Sequence, residues 1–250
     1  MLRSVGTSVE LAGACEVSKG VFRPLSQIEA LRLEAECLDD GVQLAQAAVA
    51  TLAEATLALQ EQRFTWATVK LYYCCFYSLR ALLFFESICV FYRDKSPYSI
   101  TCRGGEVFVR RKGNSHLVVF SAFRHTFPND ILLSQPITGL DPLDWLEDLR
   151  NRANYTMAPI PDPDVPAHML APSRRLRQYF STYIADDSYL YAFQPEHAAL
   201  AFPIAAIKRL DAELKRRGRV VEVSAHFRNI FTRADCDVGS LRGLQSFHIQ

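Results

Sequence analysis

The residues best suited to chemistry in this sequence lie in the segment 141–155, DPLDWLEDLRNRANY. Its C-terminal part carries a planar cation, an amide and an aromatic hydroxyl, from Arg150, Asn151 and Tyr155. An arginine can hold phosphate oxygens through paired N–H groups, and a phenol can donate or accept a hydrogen bond. Chemistry on an anionic substrate therefore has its strongest candidates here.

The helix that would position these groups is predicted by clear start signals. Asp141 can accept hydrogen bonds from the N–H groups of the first turn, and Pro142 suits the first helical position. An inward stripe recurs at helical spacing, formed by Leu143, Leu146, Leu149 and Ala153. Polar groups beside this stripe come from Arg150, Asn151, Asn154 and Tyr155. A plain amphipathic helix, with arginines at the negative end of its dipole, accounts for the same pattern, so both interpretations stay open.

Two stretches of the chain resemble the HEPN superfamily, the helical domains of prokaryotic toxins, defence proteins and CRISPR-linked ribonucleases. The run WATVKLYYCCFYSLRALL, at 66–83, resembles the aromatic-rich second helix of that family. The run RNRANY, at 150–155, resembles its signature of an arginine, a polar residue and a histidine a few positions later. Arg150 and Asn151 match, whereas Tyr155 stands where the histidine would be. The resemblance covers residues 26–185.

The resemblance implies a metal-independent RNA-cleaving effector of a prokaryotic toxin or antiviral defence system. In the family, the arginine and histidine of two protomers meet across a twofold interface, where the RNA 2′-hydroxyl attacks the adjacent phosphate. For this chain it implies a homodimer with a composite site of Arg150, Asn151 and Tyr155, and neither a metal nor a cofactor. A cognate antitoxin or defence-system protein is implied as a further partner.

The group that would accept the hydroxyl proton departs from the family pattern. An unperturbed phenol has a pKa of about 10, so roughly one Tyr155 in a thousand would be ionised at neutral pH. Nearby Arg150 and Arg152 would lower that pKa, and His116 or His125 is an alternative base if it folds toward the site. The alternative function is a non-catalytic HEPN-like module that recognises RNA, a nucleotide or a protein partner.

Charge is unevenly distributed along the chain, although the formal net charge is only +1. Residues 1–60 hold four basic against eight acidic side chains, whereas residues 101–125 hold five against one. Residues 174–233 hold eleven basic against six acidic side chains. A polyanion would be drawn to the two basic regions. RNA contacts are therefore expected at Arg110, Arg111 and Lys112, and at Arg152 beside the candidate site.

The cysteines and the apolar stretches favour a reduced, cytoplasmic protein. The seven cysteines are scattered and include no C-x-x-C pair. Adjacent Cys74 and Cys75 would face different sides of a helix, so no structural zinc is expected. The most hydrophobic stretch, 71–92, carries Arg80 and Glu86, which favours a buried central helix over a membrane span. The N-terminus lacks a signal-peptide pattern.

The remaining patterns predict an all-α, HEPN-like antiparallel helical bundle with a small β-hairpin insertion and a C-terminal helical extension. The segments are an irregular N-terminal arm over 1–25, the bundle over 26–185 and the extension over 186–250. Ser26 and Glu29 form a capping box that opens a long first helix. The second helix is expected over 65–91 and is apolar around most of its circumference. Alternating apolar residues around Arg103-Gly104-Gly105 predict a hairpin between 99 and 112.

Four further helical pieces are predicted. They cover 114–123, 173–184, 196–217 with a kink at Pro203, and 220–232. The five prolines within 158–172 predict an extended path, either an internal crossover or a domain boundary.

Overall fold

The structure is a computed structural model that describes residues 3–155, 167–236 and 243–249. This part of the chain is mostly α-helical, with three small sheets. The helices are α1 (Arg3–Cys15), α2 (Gln27–Gln60), α3 (Phe64–Phe85), α4 (Ser115–Thr126), α5 (Pro142–Tyr155), α6 (Ala167–Arg174), α7 (Leu176–Ala185), α8 (Pro195–Arg216) and α9 (Ala225–Arg233). The strands are β1 (Glu16–Ser18), β2 (Val21–Phe22), β3 (Ile88–Arg93), β4 (Ser96–Thr101), β5 (Val109–Arg110), β6 (Val221–Val223) and β7 (Phe247–Ile249).

The chain divides into two compact units. The first combines Met1–Leu44 with Leu79–Pro128, and the second combines Ala45–Ser78 with Asn129–Gln250. Helices α2 and α3 therefore contribute residues to both units. The predicted helical character is confirmed, whereas the three predicted segments with boundaries at 25 and 185 stay a prediction.

In the first unit, the start of α2 confirms the predicted capping box. The N–H of Ser26 donates to Glu29 at 2.8 Å, and the N–H of Glu29 donates to the Ser26 hydroxyl at 3.3 Å. Arg23 adds two hydrogen bonds to the same carboxylate, at 2.8 and 3.0 Å. Hydrogen bonding from Arg23, and then from Ser26, lowers the pKa of Glu29 to about 2. The helix start is thus held by reciprocal bonds and an ion pair.

The N-terminal segment is not irregular, contrary to the prediction. Residues 3–15 form α1, and β1 and β2 then pair as an antiparallel ribbon. The inward face of α1 buries Leu11, Ala12 and Cys15, and the Ser8 hydroxyl lies 3.0 Å from Cys89 Sγ on β3. Tertiary burial stabilises this helix although Gly6 and Gly13 weaken its intrinsic propensity.

The predicted second helix is six residues too long. Helix α3 ends at Phe85, and Ser87 has a φ of +58°, which takes the backbone out of the helix. The run that follows, ICVFYR, forms β3, because β-branched and aromatic residues suit a strand as well as a buried helix. The first unit therefore contains a longer sheet than predicted.

The hairpin is also placed differently. Strands β3 and β4 pair over six residue pairs through a two-residue turn, Asp94-Lys95, with φ values of 50° and 59°. Both residues are in the left-handed region that a type I′ turn requires. The predicted hairpin survives as β4 with β5, but it has only two residue pairs and a longer loop through Gly104 and Gly105. The signal was missed because neither residue of the tight turn is a glycine.

A close contact in the first unit brings α2 and the end of α3 together. A Cβ at Gly41 would lie 2.6 Å from Cε1 of Phe85, whose ring is buried. The Ser87 hydroxyl also donates to Glu34 of α2 at 2.8 Å. Gly41 is thus required by space rather than by backbone conformation.

In the second unit, the C-terminal half of α2 and the N-terminal part of α3 form an antiparallel hairpin. Lys70 of α3 forms an ion pair with Glu54 of α2 across it. Helix α8 is largely buried and confirms the predicted helix, with Pro203 in its interior. Arg209 of α8 donates to Asp130 at 2.8 Å, which ties the segment before α5 to this central helix.

The predicted helix over 173–184 is divided in two. Helices α6 and α7 are separated at Arg175, and α6 contains Pro172 within the stretch that the prolines were expected to keep extended. Proline lacks an N–H, so this helix is short and breaks soon after. The predicted piece over 220–232 is a strand followed by a helix, β6 and α9, and β6 pairs in parallel with β7. Residues 156–166 of the predicted crossover lie outside the described residues.

One helix among the described residues, α2, is long and apolar enough to cross a membrane by length and composition. However, 61% of its most apolar window is buried inside the protein. All seven cysteines are free and buried, as is usual for cysteines that pack as small apolar side chains.

Replacing Gly41 with alanine should destabilise the protein by about 1–3 kcal/mol, because the new methyl group overlaps the buried Phe85 ring. Gly13 on α1 is the matched control, since none of the described atoms lies within 4 Å of a Cβ there. Gly13→Ala should stabilise by about 0.5–1 kcal/mol through helix propensity. Urea unfolding followed by circular dichroism measures both, and equal effects of the same sign would contradict the steric explanation.

Candidate functional site

Helix α5, in the second unit, starts as the sequence predicts. The Asp141 carboxylate accepts from the N–H of Leu143 at 2.9 Å and more weakly from that of Asp144 at 3.4 Å. The predicted inward stripe is buried, since the exposed fractions of Leu143, Leu146, Leu149 and Ala153 are 0%, 1%, 7% and 2%. Burial of this face fixes the rotation of α5 and hence the directions of its polar side chains.

The Arg150 guanidinium is held from two directions. Its Nη1 donates to Asn151 Oδ1 at 2.9 Å, and its Cζ lies 5.5 Å from the centroid of the Tyr72 ring on α3. Its Nε is buried and has no hydrogen-bond partner among the described residues. The cation therefore sits over an aromatic face and beside an amide, with one buried donor that no described residue satisfies.

Tyr72 is the partner of Arg150 that sequence reasoning missed. Its side chain is buried, and burial raises the pKa of its phenol well above the ordinary value. The negative charge of Glu147 raises that pKa further, whereas the charge of Arg150 lowers it. Tyr72 therefore stays neutral, and its ring presents a negative face to the cation. The only signal in the sequence was the aromatic-rich run of α3.

Two further tyrosines continue from Tyr72 along α3. The Tyr73 ring lies edge-on to Tyr72 with centroids 5.5 Å apart, and Tyr73 and Tyr77 are tilted by 32° at 5.9 Å. Both side chains are half-buried, so part of each ring reaches solvent. The surroundings of Arg150 thus include aromatic surface as well as a cation.

Arg152 lies apart from the Arg150 contacts. Its Nε forms an ion pair with Asp148 at 3.1 Å, one turn back on the exposed side of α5. It lines a cavity of about 490 Å³ together with Trp145 and Glu196. Two carboxylates close to Arg152 weaken the attraction of this position for a polyanion. Its predicted RNA contact stays a prediction.

Tyr155 is the last residue of α5, and its side chain lies outside the described residues. Its predicted catalytic role therefore stays a prediction. Asn154 is exposed one residue earlier. The helix carries Arg150, Asn151 and Tyr155 at its C-terminal end, as the sequence predicts.

The predicted basic contacts lie in the first unit, on β5 and directly after it. Arg110 donates to the Ser96 hydroxyl and Arg111 to that of Ser99, each at 2.7 Å, and Lys112 is exposed. These bonds fix one edge of each guanidinium and leave other N–H groups toward solvent.

A groove of about 520 Å³ runs beside this basic strand. It is lined by Arg111 and Lys112 on one side and by Leu117 and His125 of α4 on the other. His125 is exposed and His116 is half-buried, both on α4. The hypothesis that either histidine serves Arg150 as a base stays untested.

Among the described residues, no group of three or more His, Cys, Asp or Glu side chains could hold a metal ion. No protein-family model, curated protein or solved structure matches this chain. The chemistry of the site is therefore the basis for its function.

A double-mutant cycle between Arg150→Met and Tyr72→Leu should give a coupling energy of about 0.5–2 kcal/mol, because both single variants lose the same cation–ring contact. The free energy of unfolding of the four proteins measures it. In the control cycle, Arg152→Met replaces Arg150→Met, and its coupling should be near zero because Arg152 pairs with Asp148. Equal couplings in the two cycles would contradict a specific Arg150–Tyr72 interaction.

Proposed function

We propose that this protein is a HEPN-like effector of a prokaryotic toxin or antiviral defence system that binds and cleaves RNA without a metal ion. The supporting observation is the Arg150 guanidinium, held between Asn151 and the Tyr72 ring. A planar cation fixed before the substrate arrives needs little reorganisation when negative charge develops on a phosphate. The resemblance of residues 150–155 to the family signature supplies the reaction.

In this proposal Arg150 binds the non-bridging oxygens of the scissile phosphate. The hydrogen bond to Asn151 holds the guanidinium in a fixed orientation. The RNA 2′-hydroxyl attacks phosphorus, the 5′-oxygen leaves, and a 2′,3′-cyclic phosphate is formed. The phenolate form of Tyr155, favoured by the positive charge of two protomers in a homodimer, accepts the hydroxyl proton, and that proton then passes from the phenol to the departing 5′-oxygen. The half-buried rings of Tyr73 and Tyr77 suit stacking with unpaired bases.

A second candidate function is a non-catalytic HEPN-like module that recognises RNA, a nucleotide or a protein partner such as a cognate antitoxin. It is favoured by the contacts of Arg150, since one of its donors already bonds Asn151 and its Cζ already lies over the Tyr72 ring. An arginine engaged in this way also serves a purely structural role. Tyrosine in place of histidine at 155 favours the same candidate.

In the enzyme, Arg150→Ala should lower the rate of RNA cleavage at least about a hundredfold, in line with the loss of one transition-state donor. Arg150→Lys should rescue little, because an ammonium lacks the planar fork. Tyr155→Phe should be inactive and Tyr155→His more active than the wild type, since imidazole titrates near neutrality. Single-turnover cleavage of a labelled single-stranded RNA measures each rate.

Arg228→Ala is the matched control, because Arg228 is an exposed arginine on α9 outside the candidate site. Its rate should equal that of the wild type. Cleavage that persists in Arg150→Ala, or that stops when a chelator is added, would contradict the proposed site. A monomer by light scattering at tens of micromolar would contradict the composite site, and a folded wild type that binds RNA without cutting it would select the second candidate.

RNA affinity is predicted to depend on the basic strand. The triple variant R110E/R111E/K112E should abolish binding, and the wild-type affinity should fall steeply with salt, because phosphate contacts release counterions. Fluorescence anisotropy with a labelled RNA at several salt concentrations measures both effects.

The control triple variant, K19E/R32E/R63E, makes the same change in net charge at exposed positions outside both basic regions. It should bind RNA almost as well as the wild type. Equal loss in both variants would mean that net charge alone attracts RNA, and unchanged affinity in the first would mean that β5 is only a solvated strand.

A further inference from the structure

A second basic site lies in the second unit, at the junction between α6 and α7. A cavity of about 740 Å³ opens there, bounded by residues of this junction, by the end of α2 and by the turn after α9. Its volume falls in the range of about 300–1,000 Å³ that is typical of small-molecule sites. Neither the α5 site nor the basic strand contributes to it.

The walls of this cavity are strongly positive. Three arginines line it, Arg174, Arg175 and Arg177, against one carboxylate among the described lining residues, Asp235. Neither Arg174 nor Arg175 has an ion-pair partner in the described part of the chain. None of the described residues therefore neutralises Arg174 or Arg175 through an ion pair, and an anion in the cavity would reduce the mutual repulsion of the arginines.

The helix break brings the three cations together. Arg174 ends α6, Arg175 is the break itself with φ −138° and ψ 44°, and Arg177 lies in the first turn of α7. Within one continuous helix, neighbouring residues would point about 100° apart around the axis. Arg174 and Arg177, three residues apart, would share a face even in a continuous helix, and the turn at Arg175 brings that residue to the same cavity. Ser173 and Gln178 add neutral hydrogen-bonding groups to the same walls.

From this arrangement we propose that the cavity binds a small ligand with two or three linked phosphate groups. Guanidinium groups bind phosphate oxygens in pairs, and several arginines around one cavity match several adjacent phosphates better than a single one. Asp235, at the edge of this cluster, disfavours additional negative charge on its side. The ligand class is a di- or triphosphate, free or attached to a nucleoside.

The lining residues also limit what else is recognised. None of those described is aromatic, so the cavity lacks a ring on which a base could stack. The cavity therefore recognises the phosphates, and a nucleoside attached to them should add little affinity. This site does not rest on the proposed ribonuclease activity, and each can fail without the other.

Isothermal titration calorimetry of the full chain at low salt tests this proposal, with sodium triphosphate, ATP, orthophosphate and a 5′-hydroxyl RNA oligonucleotide as probes. Triphosphate and ATP should bind with affinities within about threefold of each other, and orthophosphate at least about tenfold more weakly. R174E/R175E should weaken triphosphate binding at least about tenfold, because two attractive charges become repulsive. Ser173→Asp adds one carboxylate to the wall without removing an arginine, and it should weaken binding as well.

The matched control is R219E/R228E, which makes the same charge change at two exposed arginines outside the cavity. It should bind triphosphate within about twofold of the wild type. Circular dichroism and Tm confirm that each variant is folded before titration. No binding of triphosphate or ATP to the wild type, or equal losses in R174E/R175E and R219E/R228E, would overturn the proposal. Loss of RNA binding in R174E/R175E while triphosphate binding stays unchanged would also overturn it, because the cavity would then recognise an RNA backbone.

Discussion

A helix that is apolar around most of its circumference has to be covered on most of its sides, and α3 imposes this constraint on both units. Its residues are buried on opposite faces, as adjacent Cys74 and Cys75 show with exposed fractions of 0% each. In the second unit this burial places Tyr72 in the interior. Arg150 lies against the ring of that tyrosine, so the candidate site depends on how α3 is covered.

The same constraint explains the unusual environment of the candidate site. A buried phenol next to a carboxylate, Glu147, stays neutral, and an arginine nearby is stabilised by the ring and by Asn151. A guanidinium in such surroundings is better oriented than one on an open surface, and Arg152 shows the contrast. Arg152 is on the same helix, exposed, and paired with Asp148 in an ion pair of a kind that contributes little to stability.

Local signals allowed part of this structure to be predicted from sequence. The capping box at Ser26 and Glu29 and the start of α5 at Asp141 depend on residues within one helical turn, so they could be predicted correctly. The end of α3 could not, because a run of β-branched and aromatic residues suits a buried helix and a strand alike. Helix α1 could not be predicted from local signals either. Its two glycines disfavour a helix, and its burial against β3, which stabilises it, depends on residues far away in sequence.

The candidate site, too, could be predicted only where it depends on local sequence. The helical spacing of α5 placed Arg150 and Asn151 at its C-terminal end, beside the apolar stripe. The contact between Arg150 and Tyr72 joins residues far apart in sequence, and a single sequence gives no direct signal for it. The cluster of arginines at the α6–α7 junction was visible only as a regional excess of charge, because its geometry depends on a helix break at Arg175.

Neither compact unit is encoded by one continuous stretch of the gene. Each compact unit is assembled from two separate stretches, with the chain passing between them at 44–45, 78–79 and 128–129. No single cut in the gene therefore separates the units, and a fragment that begins after residue 128 lacks the α2–α3 hairpin of its own unit. Recombination could not exchange either unit as a continuous cassette, so the two are expected to have been inherited together.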